Sequence, residues 1–305
     1  MSDQLSATKP QTPPAVAVTP DYLRAGNLPG VNVLIEGPTG SGKTTSIATA
    51  VDYGYEVFVQ MLEPGMESLL GYWVDKGKAI PPNLHWNYIQ PTVSDLDAMI
   101  TAATSVNTLN HADLAKMQDH NRGKYNKYID LMRNLNGFVD ERTGQNFGRV
   151  LDWGTDRVLA FDGLTGLSRA AMSMAVGGKP VKSQAEWGIA QDQVEKLLLY
   201  LTDSCRCHFI LLSHIERETD VVLGGSKITV STLGKALPPK IPPMFSDVAL
   251  AVRDGDKFYW DTANTQADLK TRNLPIKANI APDFGQIFKK WKARNESGGL
   301  SANTN

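Results

Sequence analysis

The sequence has little cysteine, no long apolar run and almost no net charge, and each shortage excludes a class of protein. Its two cysteines, Cys205 and Cys207, are too few for a four-ligand zinc site, so we expect ordinary reduced thiols. No run of about 18 apolar residues occurs, so we expect no transmembrane helix and no membrane partner. Residues 1–20 also lack the basic and apolar blocks of a signal peptide. We therefore expect a soluble, cytoplasmic protein.

The formal net charge of −1 gives the chain no overall attraction for nucleic acid, so a DNA-binding surface would have to be a local patch. The composition is otherwise that of a globular protein, with 305 residues, 42% hydrophobic and 21% charged. Residues 1–20 are rich in Pro, Thr, Ser and Ala, which is typical of a disordered tail. Residues 296–305 predict a flexible tail, which leaves a single domain over residues 21–295.

Short apolar runs alternate with helical segments along the chain. The runs begin with VNVLIE at residues 31–36 and continue with YEVFVQML, HWNYI, RVLAFDGLTGL, CHFILLSHIE and SDVALAVR. This alternation predicts an α/β fold with a mostly parallel, twisted β-sheet flanked by helices. Residues 107–150 break the rhythm, and we interpret them as an insertion or an elaborated crossover. Residues 283–294 have apolar side chains at helical spacing, which predicts a helix packed on the core or on a neighbouring subunit.

The stretch GPTGSGKTTS follows the first apolar run and fits the P-loop pattern at every defined position. Backbone amides of such a loop bind phosphate oxygens, Lys43 would neutralise the β and γ phosphates, and the Thr44 hydroxyl would ligate Mg²⁺. The alternative is a glycine-rich turn that matches by chance. The predicted nucleotide-binding residues are Gly37, Pro38, Thr39, Gly40, Ser41, Gly42, Lys43, Thr44 and Thr45.

Two carboxylates complete the predicted ATP and Mg²⁺ site. Asp162 closes the apolar run VLAFD, where it would hold the water shell of the metal, although it could also cap the next helix. Glu63 follows YEVFVQML and would orient or deprotonate the attacking water. If the sheet is parallel, both lie at its carboxyl edge beside the phosphates. The alternative for Glu63 is a turn residue in Glu-Pro-Gly.

The order of these motifs resembles the RecA-like ATPase core shared by RecA recombinases and hexameric DnaB-type helicases. The P-loop and Glu63 are followed by VLAFDGLT, FILLSHIER, FSDVALAVR and LKTRN, and LAFDGLTGLSRAA is similar to the Asp-Ser-Leu-Thr version of the second motif. The resemblance covers roughly residues 30–290. It implies a RecA-like P-loop NTPase core that assembles as a homo-oligomeric ring or filament, with ATP between subunits.

The resemblance also implies a phosphate sensor and two DNA-binding loops. His214 ends FILLSHIER where the family usually has glutamine, so its sensing chemistry differs from the family pattern. The first loop would span residues 166–188, with Trp187 as a stacking group or a core residue. The second would span residues 221–245, a mobile glycine-rich loop whose alternative is a β-hairpin or surface loop with solvated lysines. The predicted DNA-binding residues are Lys179, Lys182, Lys227, Lys235 and Lys240.

LKTRN places Lys270 and Arg272 at alternate positions after a predicted strand. In RecA-like assemblies, basic residues here reach the γ-phosphate bound by the neighbouring subunit, which can change the rate of hydrolysis by several orders of magnitude. The alternative is a basic strand edge that faces solvent. If the first reading holds, the enzyme has to be oligomeric to hydrolyse ATP well.

The function that the resemblance implies is that of a Mg²⁺-ATP-dependent ATPase that binds single-stranded DNA and promotes homologous recombination. The P-loop begins at Gly37, which favours a minimal core similar to the phage-encoded RecA-like ATPases of annealing or strand-exchange recombination. Expected partners are single-stranded DNA, further copies of the chain and a single-stranded-DNA-binding protein, in the host cytoplasm if a phage encodes it. Alternatives are a helicase-like or loader motor of the same fold, and a nucleotide-gated assembly protein.

Overall fold

The computed structural model describes residues 27–89, 96–117, 122–219 and 224–296. The two predicted tails lie outside these ranges, except that residue 296 ends the last helix. Within the described ranges, no helix combines the length and the apolar character needed to span a membrane.

Seven strands form one sheet in the order β3-β2-β4-β5-β1-β8-β9, and β6 pairs with β7 in a separate antiparallel hairpin. The strands are β1 Asn32–Glu36, β2 Glu56–Met61, β3 Leu84–Tyr88, β4 Arg157–Asp162, β5 His208–Ser213, β6 Ile215–Thr219, β7 Ser226–Val230, β8 Asp247–Asp254 and β9 Lys257–Asp261. Every pair in the large sheet is parallel except β8 with β9. The predicted α/β class with a mostly parallel sheet is therefore confirmed.

Helices connect these strands and cover the sheet. They are α1 Lys43–Ser46, α2 Ala48–Asp52, α3 Met66–Val74, α4 Leu96–Thr108, α5 His111–Lys116, α6 Lys127–Leu135, α7 Leu164–Val176, α8 Gln184–Leu199 and α9 Gly285–Glu296. Only one residue separates α1 from α2, so these two segments together follow the glycine-rich loop. Parallel neighbours in a sheet need such crossovers, which explains the alternation of strand and helix along the chain.

Successive side chains of the central strands point to opposite faces of the sheet and supply two apolar cores. On one face, Leu34 and Phe161 belong to a core that includes residues of α6, α7 and α8. On the other face, Ile35 and Ala160 belong to a core with residues of α2, α3 and α9. A parallel sheet buried on both faces needs apolar residues at nearly every position, which explains the continuous apolar runs.

Helix α9 packs on the core of its own chain. The rings of Phe288 and Trp291 lie 4.9 Å and 4.7 Å from the His208 ring, centroid to centroid. The Trp291 indole also donates a 2.9 Å hydrogen bond to the carbonyl of Pro29. Of the two packing positions that the sequence left open for this helix, the structure therefore has the intramolecular one.

The segment 107–150 belongs to the connection between β3 and β4 and packs against the rest of the chain. The Tyr128 hydroxyl donates a 2.7 Å hydrogen bond to the carbonyl of Gln193, and Phe138 is fully buried in the core beside α7 and α8. The carboxylate of Asp140 accepts from the Trp86 amide at 3.1 Å, which joins the segment to β3. These contacts join the segment to β3 and α8.

Candidate nucleotide-binding site

The glycine-rich loop, Glu63, Asp162 and His214 meet at the carboxyl edge of the parallel sheet. The glycine-rich loop follows β1, Glu63 lies two residues beyond β2, Asp162 is the last residue of β4, and His214 follows β5. Because β1, β2, β4 and β5 are parallel, their carboxyl ends lie at one edge, where α/β proteins bind ligands. Sheet topology therefore brings together residues that are far apart in sequence.

The glycine-rich loop closes around the ammonium group of Lys43. Its Nζ donates 2.8 Å hydrogen bonds to the carbonyls of Gly37 and Pro38 and lies 3.5 Å from the Ser41 hydroxyl. The Gly37 amide donates to the Ser213 carbonyl at 3.0 Å, which fixes the start of the loop to β5. The loop thus places its cation inside the concavity where a phosphate would bind.

Burial lowers the pKa of Lys43 from 10.5 to about 8, although the negative charges of Asp162 and Glu63 oppose this shift. The side chain therefore loses its proton as the pH rises through about 8. We expect the affinity of the free protein for an unhydrolysable ATP analogue to fall above this pH, by up to about tenfold per pH unit. Equilibrium titrations between about pH 7 and pH 9.5 measure this. Lys43→Arg should flatten the dependence because arginine stays charged; a flat profile in the native protein would contradict the assignment.

Thr44 and Asp162 form the part of the site that fits a magnesium ion. The Thr44 hydroxyl lies beside the Asp162 carboxylate and acts to lower the pKa of that carboxyl. Within the described residues, Oδ2 of Asp162 is buried without a hydrogen-bond partner. Burial raises the pKa of this carboxyl from 3.8 to about 6, and the Thr44 hydrogen bond acts against the shift. A buried oxygen without a donor beside a threonine hydroxyl suits a hard cation.

The described residues contain no cluster of three or more His, Cys, Asp or Glu side chains that could hold a metal by themselves. A magnesium ion at Thr44 and Asp162 would therefore take its remaining oxygen ligands from phosphates and water, which is its usual mode of binding beside nucleotides.

The carboxylate of Glu63 is held by two hydrogen bonds. Oε1 accepts from the Gly166 amide at 2.7 Å, and Oε2 lies 3.0 Å from Nε2 of His214. Burial acts to raise the pKa of Glu63, but the His214 hydrogen bond and charge, the Gly166 hydrogen bond and the charge of Arg169 outweigh it, so the pKa lies below its ordinary value. Glu63 is therefore an ionised acceptor at neutral pH.

His214 connects Glu63 to the glycine-rich loop. Because the Glu63 carboxylate can only accept, Nε2 of His214 carries a proton and donates to it. The other ring nitrogen, Nδ1, lies 3.5 Å from the Thr39 hydroxyl. The geometry forms a chain from Thr39 through His214 to Glu63.

Gly163 makes room for Glu63. A Cβ at position 163 would lie 2.7 Å from Cγ of Glu63, and its φ of +116° disfavours other residues. Gly163 stands where the resembled motif has serine, and this close approach gives the departure a physical reason. Sequence reasoning also missed Arg169, an exposed side chain on α7 whose charge acts on Glu63. The one feature of the sequence that pointed to Arg169 was its position, about two helical turns after Asp162.

Lys270 and Arg272 lie away from the glycine-rich loop of their own chain. Backbone hydrogen bonds pair Lys270 with Val248, and the Arg272 amide donates to Asp247 at 2.8 Å. Asp247 is the first residue of β8, at the sheet edge opposite the loop. Any contact of these cations with a nucleotide would require a second copy of the chain.

Most of the predicted DNA-binding lysines have acidic or aromatic neighbours. Lys227 pairs with Asp268 at 3.2 Å and Lys240 with Glu195 at 2.7 Å, both largely exposed. Lys179 also has an acidic partner, Glu186, which belongs to the capping box of α8. The ammonium group of Lys182 lies 5.6 Å from the centroid of the Trp187 ring, and Lys235 has no ion pair within the described ranges. Trp187 itself is half-buried and packs against the core.

The predicted second loop, residues 221–245, includes β7, one strand of a β-hairpin whose other strand, β6, precedes the loop. A β-hairpin or a surface loop with solvated lysines was the alternative for this segment. β7 pairs with β6 in register from Ile215 with Val230 to Thr219 with Ser226. Residues 220–223 lie outside the described ranges. The hairpin begins at the residue after His214, and the Ser231 amide donates back to the His214 carbonyl at 2.7 Å.

Glu36, the last residue of β1, is a buried carboxyl next to the loop. It is 1% exposed, and its Oε1 has no hydrogen-bond partner among the described residues. Burial, and to a smaller extent the charge of Asp268, raises the pKa of Glu36 from 4.5 to about 8. A pKa raised in the folded state stabilises the fold below the unfolded pKa, and this contribution is lost as the pH rises to about 8.

We expect Glu36→Gln to become more stabilising, relative to the native chain, as the pH rises from 5 to 8. Each pH unit in this window should add up to about 1.4 kcal/mol to the difference in unfolding free energy, since only the native chain has to keep Glu36 protonated. Urea unfolding of both proteins at the two pH values measures this difference. If their stabilities change in parallel, Glu36 titrates normally.

A glycine-rich loop between a parallel strand and a helix, closed around a lysine and followed by a threonine, has the features of a phosphate-binding loop. No protein-family model matches the chain, and no curated protein matches its sequence. Among solved structures, the crystal structure of the RadB recombinase is similar with a TM-score of 0.36 and 11% sequence identity, over 86% of this chain and 96% of that one. Similarity at this level does not assign the chain to a family.

Proposed function

We propose that this chain is a Mg²⁺-dependent ATPase of the RecA-like type that acts as an oligomer on single-stranded DNA. The observation that carries the proposal is the meeting of Lys43, the Thr44–Asp162 pair and the Glu63–His214 pair at one sheet edge. A phosphate-binding loop alone would indicate binding only. An ionised carboxylate beside it adds a group that can act on water.

In the proposed mechanism, the Lys43 ammonium exchanges the carbonyls of Gly37 and Pro38 for phosphate oxygens. Thr44 and Asp162 would hold a magnesium ion, which when bound neutralises charge on the phosphates. Glu63 keeps a free lone pair on each oxygen while it accepts from Gly166 and His214, so it can orient a water and take its proton. The two hydrogen bonds fix the carboxylate before substrate arrives.

His214 would report the state of the phosphates to the β6–β7 hairpin. Thr39 and Glu63 contact its ring from opposite sides, and β6 starts at the following residue. A γ-phosphate that moves either contact would shift the base of the hairpin. Side-chain contacts from α7 to Ser231 and Thr232 connect the same base to the helix after Asp162.

The DNA-binding part of the proposal uses the five predicted lysines, of which Lys182, Lys235 and Lys240 are exposed. Exposed ion pairs such as Lys227–Asp268 contribute only about 0–1 kcal/mol, so a DNA phosphate can replace the carboxylate at little cost. Lys235 and Lys182 need no such exchange. Lys179 is held more firmly by Glu186, so we expect it to add least.

Oligomerisation enters the proposal through Lys270 and Arg272, which would reach ATP bound by a neighbouring copy. Annealing or strand exchange of the phage type, with a single-stranded-DNA-binding protein as a partner, is the biological setting that the sequence resemblance favours. Hydrolysis coupled to duplex unwinding would favour a translocase instead.

The experiment is the ATPase rate with and without single-stranded DNA, read together with particle size in an unhydrolysable ATP analogue. We expect stimulation by DNA and particles larger than one chain. Lys235→Gln should weaken DNA binding and lower its salt dependence, whereas the matched exposed variant Lys196→Gln, on α8, should not. If the protein stays a monomer and its ATPase rate is the same with and without single-stranded DNA, the oligomer and DNA parts of the proposal are wrong.

A further inference from the structure

The position of the catalytic groups fixes the direction in which a bound nucleotide would lie, if the proposed function holds. Glu63, Asp162 and His214 lie at the carboxyl ends of β2, β4 and β5, which are all on one side of β1 in the sheet. The reacting end of the triphosphate has to point to that side. Its nucleoside end must then extend to the other side of β1, where β8 and β9 lie.

The β8–β9 hairpin rises beside the glycine-rich loop on that side. Leu250 pairs with Glu36 at the end of β1, and β8 continues beyond it to Asp254. Arg253, three residues past Leu250, is paired directly with Phe258 of β9. These two side chains therefore stand above the sheet edge, level with the loop.

Arg253 and Phe258 contact the loop closely. A Cβ at Gly42 would lie 3.0 Å from Cδ1 of Phe258, so any larger residue at position 42 would meet the ring. A Cβ at Gly40 would lie 4.0 Å from Nη1 of Arg253. The pair is thus next to the part of the loop that would hold phosphates.

The pair offers flat surfaces to solvent. Phe258 is 43% exposed and belongs to neither apolar core. The Arg253 guanidinium carbon lies 5.7 Å from the Phe258 ring centroid, and its Nε donates a 2.9 Å hydrogen bond to the Gly255 carbonyl, which fixes its orientation. Aromatic rings and guanidinium planes are the protein groups on which nucleobases stack.

We propose that Arg253 and Phe258 form the stacking surface for the base of the bound nucleotide, with a preference for purines. A purine has the larger face and covers both groups. The surface would make the site selective for a nucleotide over a bare polyphosphate. Neither residue stood out in the sequence, where RDGDKF reads as a polar turn between strands.

The test compares equilibrium binding of Mg·ATP with binding of Mg·tripolyphosphate, which has the phosphates and no base. We expect the native protein to bind ATP at least about tenfold more tightly, the scale of one base stack. Phe258→Leu, which keeps apolar packing against Gly42, should lose most of this ratio through weaker ATP binding, with tripolyphosphate unchanged. Phe258→Trp should keep the ratio, and Arg253→Gln should lower it.

Tyr200→Leu is the matched control, because Tyr200 is equally exposed, at 42%, but lies at the opposite sheet edge before β5 begins. Equal binding of ATP and tripolyphosphate by the native protein would overturn the stacking surface while leaving the phosphate loop in place. So would a Phe258→Leu variant that weakens both ligands alike, since that is loss of packing on the loop. If the native protein binds neither ligand, the proposed function fails and this inference fails with it.

Discussion

Replacing Glu63 with Gln is expected to slow ATP hydrolysis by a factor of about 100 to 1,000 while changing ATP affinity by no more than about threefold. Glutamine keeps the shape of the side chain and removes its basicity, so water is no longer activated. The loop contacts of Lys43 do not involve Glu63 and should persist. Phosphate release and analogue binding, measured on the same preparation, separate the two effects.

The structure also predicts how the variant is accommodated. Glu63 accepts from both the Gly166 amide and His214 Nε2, whereas glutamine has only one acceptor oxygen. The imidazole can move its proton to Nδ1, where the Thr39 hydroxyl oxygen accepts it. The variant should therefore fold normally and show its His214 proton on the other nitrogen by NMR.

Glu67→Gln is the matched control, since Glu67 is an exposed carboxylate in the first turn of α3. It should leave hydrolysis unchanged. If Glu63→Gln hydrolyses ATP at the native rate, Glu63 does not act on water and the site is a binding switch, as in the nucleotide-gated assembly alternative.

Asp162→Asn is expected to abolish magnesium-dependent hydrolysis and to stabilise the nucleotide-free protein at the same time. The folded pKa of Asp162, about 6, lies above its ordinary value of 3.8 because of burial. Its contribution to stability is present below pH 3.8 and lost as the pH rises through about 6. At neutral pH the ionised carboxylate therefore destabilises the fold, by up to about 3 kcal/mol for a shift of this size.

Asparagine removes the buried charge, although one polar atom of its side-chain amide would still lack a hydrogen-bond partner, as Oδ2 of Asp162 does. We expect a net gain of about 2 kcal/mol at neutral pH, or a rise of about 5 °C in the melting temperature. At pH 4 the native carboxyl is already protonated, so the gain should largely vanish. Thermal unfolding at both pH values in a chelator, beside the exposed control Asp75→Asn, measures this. If Asp162→Asn instead has a lower melting temperature than the native protein at neutral pH, the ionised Asp162 carboxylate does not destabilise the fold.

The grouping of the candidate residues could be predicted from the sequence where local patterns determine it. The loop spacing selected Lys43 and Thr44 as candidates, and strand ends selected Glu63 and Asp162, because a parallel sheet places the ends of its strands at one edge. The strands of the large sheet were found to within a few residues; the run HWNYI at 85–89 became β3, Leu84–Tyr88. These features follow from periodicities of a few residues.

What the sequence did not show depends on contacts between distant residues. The hydrogen bond from His214 to Glu63 spans 151 positions, and the ion pair that occupies Lys240 spans 45. Arg253 and Phe258 lie next to the glycine-rich loop only because β8 pairs with β1. No local pattern carries such information, since it arises from the strand order.

The predicted second loop likewise combines features that local sequence patterns show with features that depend on contacts between distant residues. Its glycines and lysines favoured a mobile loop, yet Ile228 and Val230 alternate with polar residues and are buried in β7. A bridge from Ile228 to Ala267 helps to hold the strand. Short alternating segments of this kind become strands only when a partner segment is available, which the chain supplies from both sides.

The most direct test of the account is the release of inorganic phosphate from Mg·ATP by the purified native chain and by Lys43→Ala. The account predicts hydrolysis by the native protein that requires magnesium, and loss of both ATP binding and hydrolysis in the variant, which should unfold at a similar temperature. A Lys43→Ala protein that hydrolyses ATP as fast as the native chain, or a native chain that does not hydrolyse ATP with or without single-stranded DNA, would contradict it.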